Sequence, residues 1–467
     1  MILKNKKAAI HNLGCKVNAY EAEAMAAKLR EQGVEIVPWE SDEADIYIIN
    51  TCSVTNIADR KSRQMLHKAR AKNKEALVIA AGCYVQAKAE ELMEDTGVDI
   101  LLGNNEKGHL IEAIQAYDAS FHTEGDGFNK ACFVPEIREE QDYEKLSAGQ
   151  IADNGRVFLK VQDGCNQFCS YCIIPYVRGK IRSRSIEDTL KEVRDFASRG
   201  YQEMVLTGIH LSSYGLDTEN RNYEYAMDHE IPSTALLSLI RAVAEVPGVK
   251  RVRLGSLEPR IITEDFVAAL KEIPEICPQF HLSLQSGDDK TLRRMNRHYD
   301  TAAFRHSVEL LRAAWPDVAI TTDVIVGFPG ETEEDFLSSY RFVEEIGFYE
   351  LHVFKYSRRA GTAADRMPGQ LTDREKTLRS EKLIALDLEK SDAFRRRFLG
   401  REEEVIVEEF MNVDGTEYLT GYNRMYVRYL IPFTDRKKAE SKIGQIIKVN
   451  AKEICKTCVL AMPTDLL

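Results

Sequence analysis

The stretch Asp163-Gly164-Cys165-Asn166-Gln167-Phe168-Cys169-Ser170-Tyr171-Cys172 places three thiols on one short loop at C-x3-C-x2-C spacing. It follows Val157–Gln162, whose apolar residues predict a strand. Soft sulfur ligands select an iron–sulfur cluster or zinc. A structural zinc site wants four ligands, and no fourth His or Cys stands nearby. Three thiolates on a cubane cluster leave one iron open, and an open metal position is where substrate chemistry takes place. A strand thus runs directly into a ligand loop, the layout of a barrel enzyme with its chemistry beyond the strand's carboxyl end.

Downstream, six strand candidates alternate with helices: Val157–Gln162, Glu203–Gly208, Arg251–Ser256, Phe280–Gln285, Ile320–Gly327 and Leu351–Tyr356. Helices are expected near 186–199, 234–246, 262–273, 302–314 and 333–346. Six βα units are too few for a closed eight-stranded barrel and suit an open, partial (β/α)6 barrel with its chemistry on the loops after the strands. Residues 212–232 form a polar insertion after the second strand, a lid or a passive surface loop.

Upstream, residues 6–118 alternate strand and helix: strands at Ala8–Asn12, Val34–Pro38, Asp45–Asn50, Leu77–Ala81 and Ile100–Leu102, helices at Asn18–Gln32 and Thr55–Lys72. That alternation implies a parallel α/β sheet of the Rossmann or flavodoxin kind. A second trio of cysteines lies just past three of these strands, in Gly14-Cys15-Lys16-Val17-Asn18, Asn50-Thr51-Cys52-Ser53-Val54-Thr55 and Gly82-Cys83-Tyr84-Val85-Gln86. In open α/β sheets, functional groups gather at the carboxyl edge of the strands, so Cys15, Cys52 and Cys83 can converge there.

The chain has 467 residues, 44% hydrophobic and 29% charged, as expected of a soluble globular enzyme of about three domains. No signal peptide and no long apolar run is evident, so a cytoplasmic protein without a membrane partner is expected. Ten cysteines in such a chain argue for metal or catalysis rather than disulfides. The net charge is −11, yet residues 60–74 carry a local +7 and residues 156–184 a local +5. Arg60, Lys61, Arg63, Arg182 and Arg184 are candidate contacts to a polyanion, with solvated helix faces as the alternative; the planar forks of Arg182 and Arg184 suit a carboxylate as well as a phosphate.

Residues 119–150 read as a linker and 395–465 as a small five-stranded, OB-like barrel with strands at Glu403–Glu408, Glu417–Gly421, Met425–Pro432 and Gln445–Ala451. Such barrels often grip oligonucleotides; dimerisation or capping is the alternative. Cys455 and Cys458 form a lone C-x2-C, and Cys132 and Cys277 have no spacing partner, so all four read as incidental. His11 lies four residues before Cys15 and reads as a strand-end histidine.

The C-x3-C-x2-C run resembles that of the radical S-adenosylmethionine superfamily. With the motifs around Cys15, Cys52 and Cys83 and the C-terminal barrel (similar to the TRAM RNA-binding module), the whole order of the chain resembles the methylthiotransferases. The resemblance implies an N-terminal domain over 6–118 and a radical core over 151–392. It implies two 4Fe-4S clusters, the radical-generating one on Cys165, Cys169 and Cys172 and an auxiliary one on Cys15, Cys52 and Cys83 that holds the sulfur. One S-adenosylmethionine would methylate that sulfur, and a second would yield the radical that takes hydrogen from carbon 2 of an adenosine. Tyr171 would pack on the adenine of S-adenosylmethionine, and Gly208, Ser256, Gln285 and Gly327 would line its site.

Gly-Cys-Lys-Val-Asn and Asn-Thr-Cys-Ser-Val-Thr look most like the branch that acts on N6-threonylcarbamoyladenosine beside the tRNA anticodon. Other branches act on N6-isopentenyladenosine in tRNA or on a ribosomal-protein aspartate. The implied partners are the tRNA anticodon stem-loop, an external electron donor and a sulfur source, with the enzyme a monomer. The non-enzymatic alternative is an RNA-binding iron–sulfur redox sensor.

Overall fold

The computed structural model describes residues 3–41, 43–121, 130–137, 142–149, 155–217 and 230–464. The middle of the 212–232 insertion, parts of the 119–150 segment, the boundary at 151–154 and residue 465 lie outside the described residues. The chain divides into two compact units. One comprises Met1–Ile151, Gln162–Arg182 and Ser357–Asp365; the other comprises Ala152–Val161, Ser183–Tyr356 and Arg366–Leu467.

In the first unit β1 (Lys7–Asn12), β2 (Glu35–Ile36), β3 (Ile46–Thr51), β4 (Leu77–Gly82), β5 (Ile100–Leu102) and β6 (Ala131–Phe133) form a sheet in the order β2-β1-β3-β4-β5-β6. Every neighbouring pair is parallel. β3 and β4 are buried at every position because helices cover both faces. Alternation splits β3 between two cores: Ile46 and Ile48 pack on one face, Tyr47 and Ile49 on the other. The linker expectation fails at Ala131–Phe133, which adds a sixth strand against Ile100–Leu102. Three residues of mixed character, Ala131, Cys132 and Phe133, carry too short a pattern to be read as a strand.

The second unit holds most of β7 (Arg156–Asp163), β8 (Arg182–Ser183), β9 (Glu203–Gly208), β10 (Arg251–Leu254), β11 (Gln279–His281), β12 (Ala319–Val326) and β13 (Glu350–Lys355). Two sheets are formed, β10-β9-β7-β8 and β11-β12-β13. Single parallel bridges, Val252 to Ile276 and Leu257 to Leu282, carry the pairing from β10 towards β11. The expected six βα units are thus present in sequence order. Their helices start on side-chain caps: Ser185 accepts from the Asp188 amide, and Thr332 with Asp335 makes a reciprocal capping box. A helix the sequence reading did not anticipate, Asp373–Arg396, begins on a second capping box of Thr372 and Glu375. It packs on β13, where its Asp387 accepts from the Leu351 amide at 2.7 Å.

The same unit ends in a closed barrel, β14 (Glu402–Val413), β15 (Thr416–Tyr422), β16 (Arg428–Ile431), β17 (Ile446–Cys455) and β18 (Cys458–Pro463), ordered β14-β15-β16-β18-β17. Closure leaves no open edge. The fifth strand explains the C-x2-C pair. Cys455 and Cys458 face each other across a two-residue hairpin turn in which Lys456 takes φ 55°.

This barrel seals the amino-terminal end of the partial one. Arg251 donates to the carbonyls of Tyr422 and Glu404, and Arg253 to those of Arg424 and Asn423. Arg156 stacks on Tyr422 and Tyr426, 4.7 Å from each ring. Glu203 accepts from Arg253 at 2.7 Å beneath them.

Candidate functional site

The three N-terminal cysteine loops are stitched to one another. Cys15 precedes the helix Lys16–Glu31, Cys52 follows β3, and Cys83 opens the helix after β4. Asn18 donates to the Thr51 carbonyl at 3.0 Å and approaches Cys15 Sγ at 3.5 Å, and Asn50 donates back to the Asn18 carbonyl at 2.8 Å. Gly82 takes φ 97°, and a Cβ there would lie 2.7 Å from Asn50 Oδ1. Only glycine lets Cys83 come so close to the neighbouring loop.

A buried arginine ties this group to the second one. Arg178, six residues after Cys172, donates to Glu21 at 2.9 and 3.2 Å, to Asp163 at 3.0 and 3.2 Å and to Asn18 at 2.8 Å. Its Nε reaches Cys83 Sγ at 3.3 Å. Lys107, also fully buried, pairs with Glu21 at 3.1 Å and donates to Asn104, which in turn lies 3.5 Å from Cys83 Sγ. Two cations against two carboxylates, all hydrogen-bonded, is the arrangement that makes buried charge tolerable.

Asp163 leads directly into the C-x3-C-x2-C loop. Its Oδ1 accepts from the Gly164 amide at 2.8 Å. Gly164 takes φ 71°, and a Cβ there would stand 1.9 Å from the Lys180 carbonyl. The Cys165 amide donates to Gly179, and Cys172 to Cys169, so the loop is folded onto itself. Phe168 adopts φ 45°, with its exposed ring edge-on to Tyr176 at 5.9 Å. Cys169 is buried, while Cys165, Cys172 and Tyr171 are half-buried.

The donor set fits a thiolate cluster. Cys83 Sγ faces an arginine N–H and an amide N–H, donors that would hydrogen-bond to a metal-bound thiolate. Burial pushes the Cys52 thiol up to about 11. A cationic metal centre binding these sulfurs would displace their protons to solvent.

The Cys52 loop has its own clamp. Arg359 forks onto Asp59 at 2.7 and 3.2 Å and donates to Ser53 at 2.6 Å and Asn56 at 2.9 Å. Neither Arg178 nor Arg359 was singled out by sequence reasoning. The available signal was a cation six residues beyond the last cysteine of the loop.

The basic candidates separate. Arg60, Lys61 and Arg63 are exposed on the helix Asn56–Lys72, with Arg63 donating to the Tyr84 hydroxyl at 2.7 Å. Arg182 and Arg184 are buried instead. Arg182 faces Asp163 at 3.6 Å and donates to Asn105, and Arg184 pairs with Glu192. Both pair with carboxylates, one of the two partners the sequence allowed them, rather than lying open to a polyanion. His11 packs against Trp39, the rings tilted by 40° with centroids 4.8 Å apart, and burial pushes its pKa down.

In the second unit Gly208 ends β9, Ser256 follows β10, Gln285 follows β11 and Gly327 follows β12, all at the carboxyl ends of the strands. Gln285 holds φ 67° and brackets β12, donating its amide to Asp323 and accepting from Ile325. Gly327 is explained by packing: at φ 71° a Cβ would lie 2.4 Å from Lys376 Cγ.

The sequence matches the Radical SAM superfamily over residues 159–343 and the Uncharacterized protein family UPF0004 over residues 7–103. It is 38% identical to the threonylcarbamoyladenosine tRNA methylthiotransferase MtaB of Bacillus subtilis, over 94% of this chain and 92% of that protein. This chain belongs to the radical S-adenosylmethionine methylthiotransferase family. The MtaB protein of Thermotoga maritima is 34% identical over 99% of this methylthiotransferase and 98% of its own length. A tRNA-2-methylthio-N(6)-dimethylallyladenosine synthase of Clostridium perfringens is 35% identical over 89% of each chain. Among solved structures, the radical S-adenosylmethionine methyltransferase TsrM of Kitasatospora setae, with cobalamin and a [4Fe-4S] cluster bound, superposes at TM-score 0.56. It covers 77% of each chain at 14% identity, a likeness of fold alone. Methylthiotransferases of this family use S-adenosylmethionine and [4Fe-4S] clusters.

Proposed function

We propose that this enzyme converts N6-threonylcarbamoyladenosine to its 2-methylthio derivative at position 37 of tRNA, beside the anticodon. Kinship with the MtaB proteins over nearly the whole chain supports the reaction. The structural observation that supports the two-centre reading is one buried arginine bonded to Cys83 of one group and to Asp163, two residues before Cys165 of the other.

In this reading Cys165, Cys169 and Cys172 hold the radical-generating cluster, and Cys15, Cys52 and Cys83 hold the auxiliary one. When bound, S-adenosylmethionine supplies a carbon radical able to take hydrogen from an unactivated C–H bond, chemistry no side chain provides. The protein's part is placement. Arg178 and Asp163 fix the first cysteine loop relative to Cys83. Gly164 and Phe168 give that loop its turn. Arg359 holds the segment that carries Cys52. Tyr171 would face the adenine of S-adenosylmethionine, and Gly208, Ser256, Gln285 and Gly327 would line the rest of its site. Arg60, Lys61 and Arg63 and the C-terminal barrel would meet the anticodon stem-loop. An electron donor and a sulfur source complete the system, and the enzyme would act in the cytoplasm as a monomer. No helix among the described residues is long and apolar enough to cross a membrane.

Kinship with the dimethylallyladenosine synthases supports a second reading, with N6-isopentenyladenosine as substrate. Mass spectrometry of tRNA nucleosides from cells with and without the gene separates the two. The first reading expects loss of the methylthio form of threonylcarbamoyladenosine alone. Loss of the isopentenyl adduct instead would sink it.

A further inference from the structure

Overall similarity barely chooses between the two adenosines, since the relatives named for them are 38% and 35% identical to this chain. The sheet β11-β12-β13 offers a sharper criterion. Thr321 is in register with His281 and Glu350, and Asp323 with His352. In a parallel pair, residues in register share a face, as do residues two apart on one strand. His281, Thr321, Asp323 and His352 therefore lie on one face of the sheet. The intervening residues Phe280, Ile320, Val324 and Leu351 are buried on the other, where Phe280 packs on Trp315 at 5.5 Å.

On the first face His281, Asp323 and His352 bring their polar atoms within 4.8 Å of one another. The two imidazoles stack with centroids 5.7 Å apart. His281 Nδ1 is fixed by Thr321 Oγ1 at 3.0 Å. Its Nε2 is buried, lies 3.4 Å from Asp323 Oδ2, and makes no hydrogen bond among the described residues. A buried polar atom without a bond calls for a partner. His281 and Asp323 are half-buried and His352 is exposed, so the cluster can be reached from solvent. It lies four residues before Gln285 on one strand run and four before Gly327 on the next, set back from the carboxyl ends where barrel enzymes bind substrate.

We infer that His281, Asp323 and His352 form the subsite for the N6 side chain of the target adenosine, and that they select the threonylcarbamoyl group over a hydrocarbon. The inference rests on the substrate reading under Proposed function. A threonylcarbamoyl group presents a urea N–H, a hydroxyl and a carboxylate. Two imidazoles and a carboxylate offer the matching donors and acceptor. A dimethylallyl group offers none, and its entry would leave the buried His281 Nε2 still without a hydrogen bond. Sites built to hydrogen-bond a substrate reject the apolar analogue far more strongly than apolar pockets reject a polar one.

The test uses the full-length holoenzyme and three anticodon stem-loop RNAs differing only at the target base: threonylcarbamoyladenosine, dimethylallyladenosine and adenosine. The expected wild-type preference for the first over the second is on the order of 10³ or more in kcat/KM. In His352→Leu and Asp323→Leu that preference falls roughly 10- to 100-fold, chiefly through KM for the threonylcarbamoyl RNA. His352→Gln, which keeps size and polarity, recovers part of it. Unfolding temperature and iron content show that each variant is folded and loaded. Unchanged preference in both folded leucine variants overturns the subsite while leaving the substrate reading intact. So does a non-iron divalent metal retained at one equivalent by wild type and lost in the variants, which would make the cluster a metal centre. A wild-type enzyme inert on threonylcarbamoyl RNA but active on dimethylallyl RNA overturns both.

Discussion

Arg178 Nε stands 3.3 Å from Cys83 Sγ, and the same guanidinium grips Asp163, two residues before Cys165. One planar cation thus sets the spacing between two cysteine groups that are 82 positions apart at their nearest members in sequence. Removing it would leave Glu21 and Asp163 as buried carboxylates with fewer partners. Arg178→Met should cost about 3–5 kcal/mol in denaturant unfolding. Arg178→Lys should recover the charge but not the fork, and remain impaired in methylthio transfer.

The two cysteine groups should separate by function. Replacing Cys15, Cys52 and Cys83 with Ala should roughly halve the bound iron, as expected for loss of one of two similar clusters. It should abolish methylthio transfer while 5′-deoxyadenosine formation from S-adenosylmethionine persists. Loss of both activities in a folded, half-loaded variant would mean that the division of labour is wrong.

Gly164→Ala tests the backbone of the loop. The added carbon meets the Lys180 carbonyl at 1.9 Å, at a φ of 71° that alanine resists. The expected outcome is the reverse pattern: iron retained on the N-terminal group, and no S-adenosylmethionine cleavage, measured anaerobically by iron content and 5′-deoxyadenosine.

The exposed cations of the helix Asn56–Lys72 should behave as phosphate ligands. Arg60→Ala with Lys61→Ala should weaken tRNA binding across sequences and flatten its salt dependence by roughly one unit for each phosphate no longer neutralised. Equal salt slopes for variant and wild type would remove this helix from the RNA path.

Glu203 gives a pH prediction. Burial pushes its carboxyl pKa up, but Arg253, Arg156 and Arg251 together outweigh this and hold it below the ordinary 4.5. The folded form therefore binds its proton later than the unfolded one as pH falls. Its contribution is complete above about 4.5 and is lost as pH drops from there towards the lower folded value. Glu203→Gln should unfold more readily at neutral pH and show a flatter stability profile across that acidic window, measured by urea denaturation at stepped pH.

Much of the architecture was legible in the residues. The strands Ile100–Leu102 and Glu203–Gly208 and the helix Glu333–Ile346 fall where periodicity places them, because each is bounded by turn or capping residues. What escaped was non-local. Ala131–Phe133 becomes a strand only because β5 has an edge to offer. Cys455 and Cys458 read as incidental thiols, and only the hairpin register shows why they are spaced as they are. For Arg182 and Arg184 a carboxylate or a phosphate was equally open, and only the fold names Asp163 and Glu192 as the partners. The candidate site split likewise. Cysteine spacing is written in the chain, whereas the arginine that spaces the loops depends on partners up to 160 residues away.

Arg156, Arg251 and Arg253 rest against Tyr422, Tyr426 and the carbonyls around them. The C-terminal barrel is therefore a stopper as much as a module. A fragment cut near residue 400 would expose three arginines and a glutamate evolved to be dry, at the mouth of a half-barrel that water could then flood. Chimeras that swap this barrel for one from another nucleic-acid enzyme should stay insoluble unless the Tyr422–Tyr426 turn travels with the recipient.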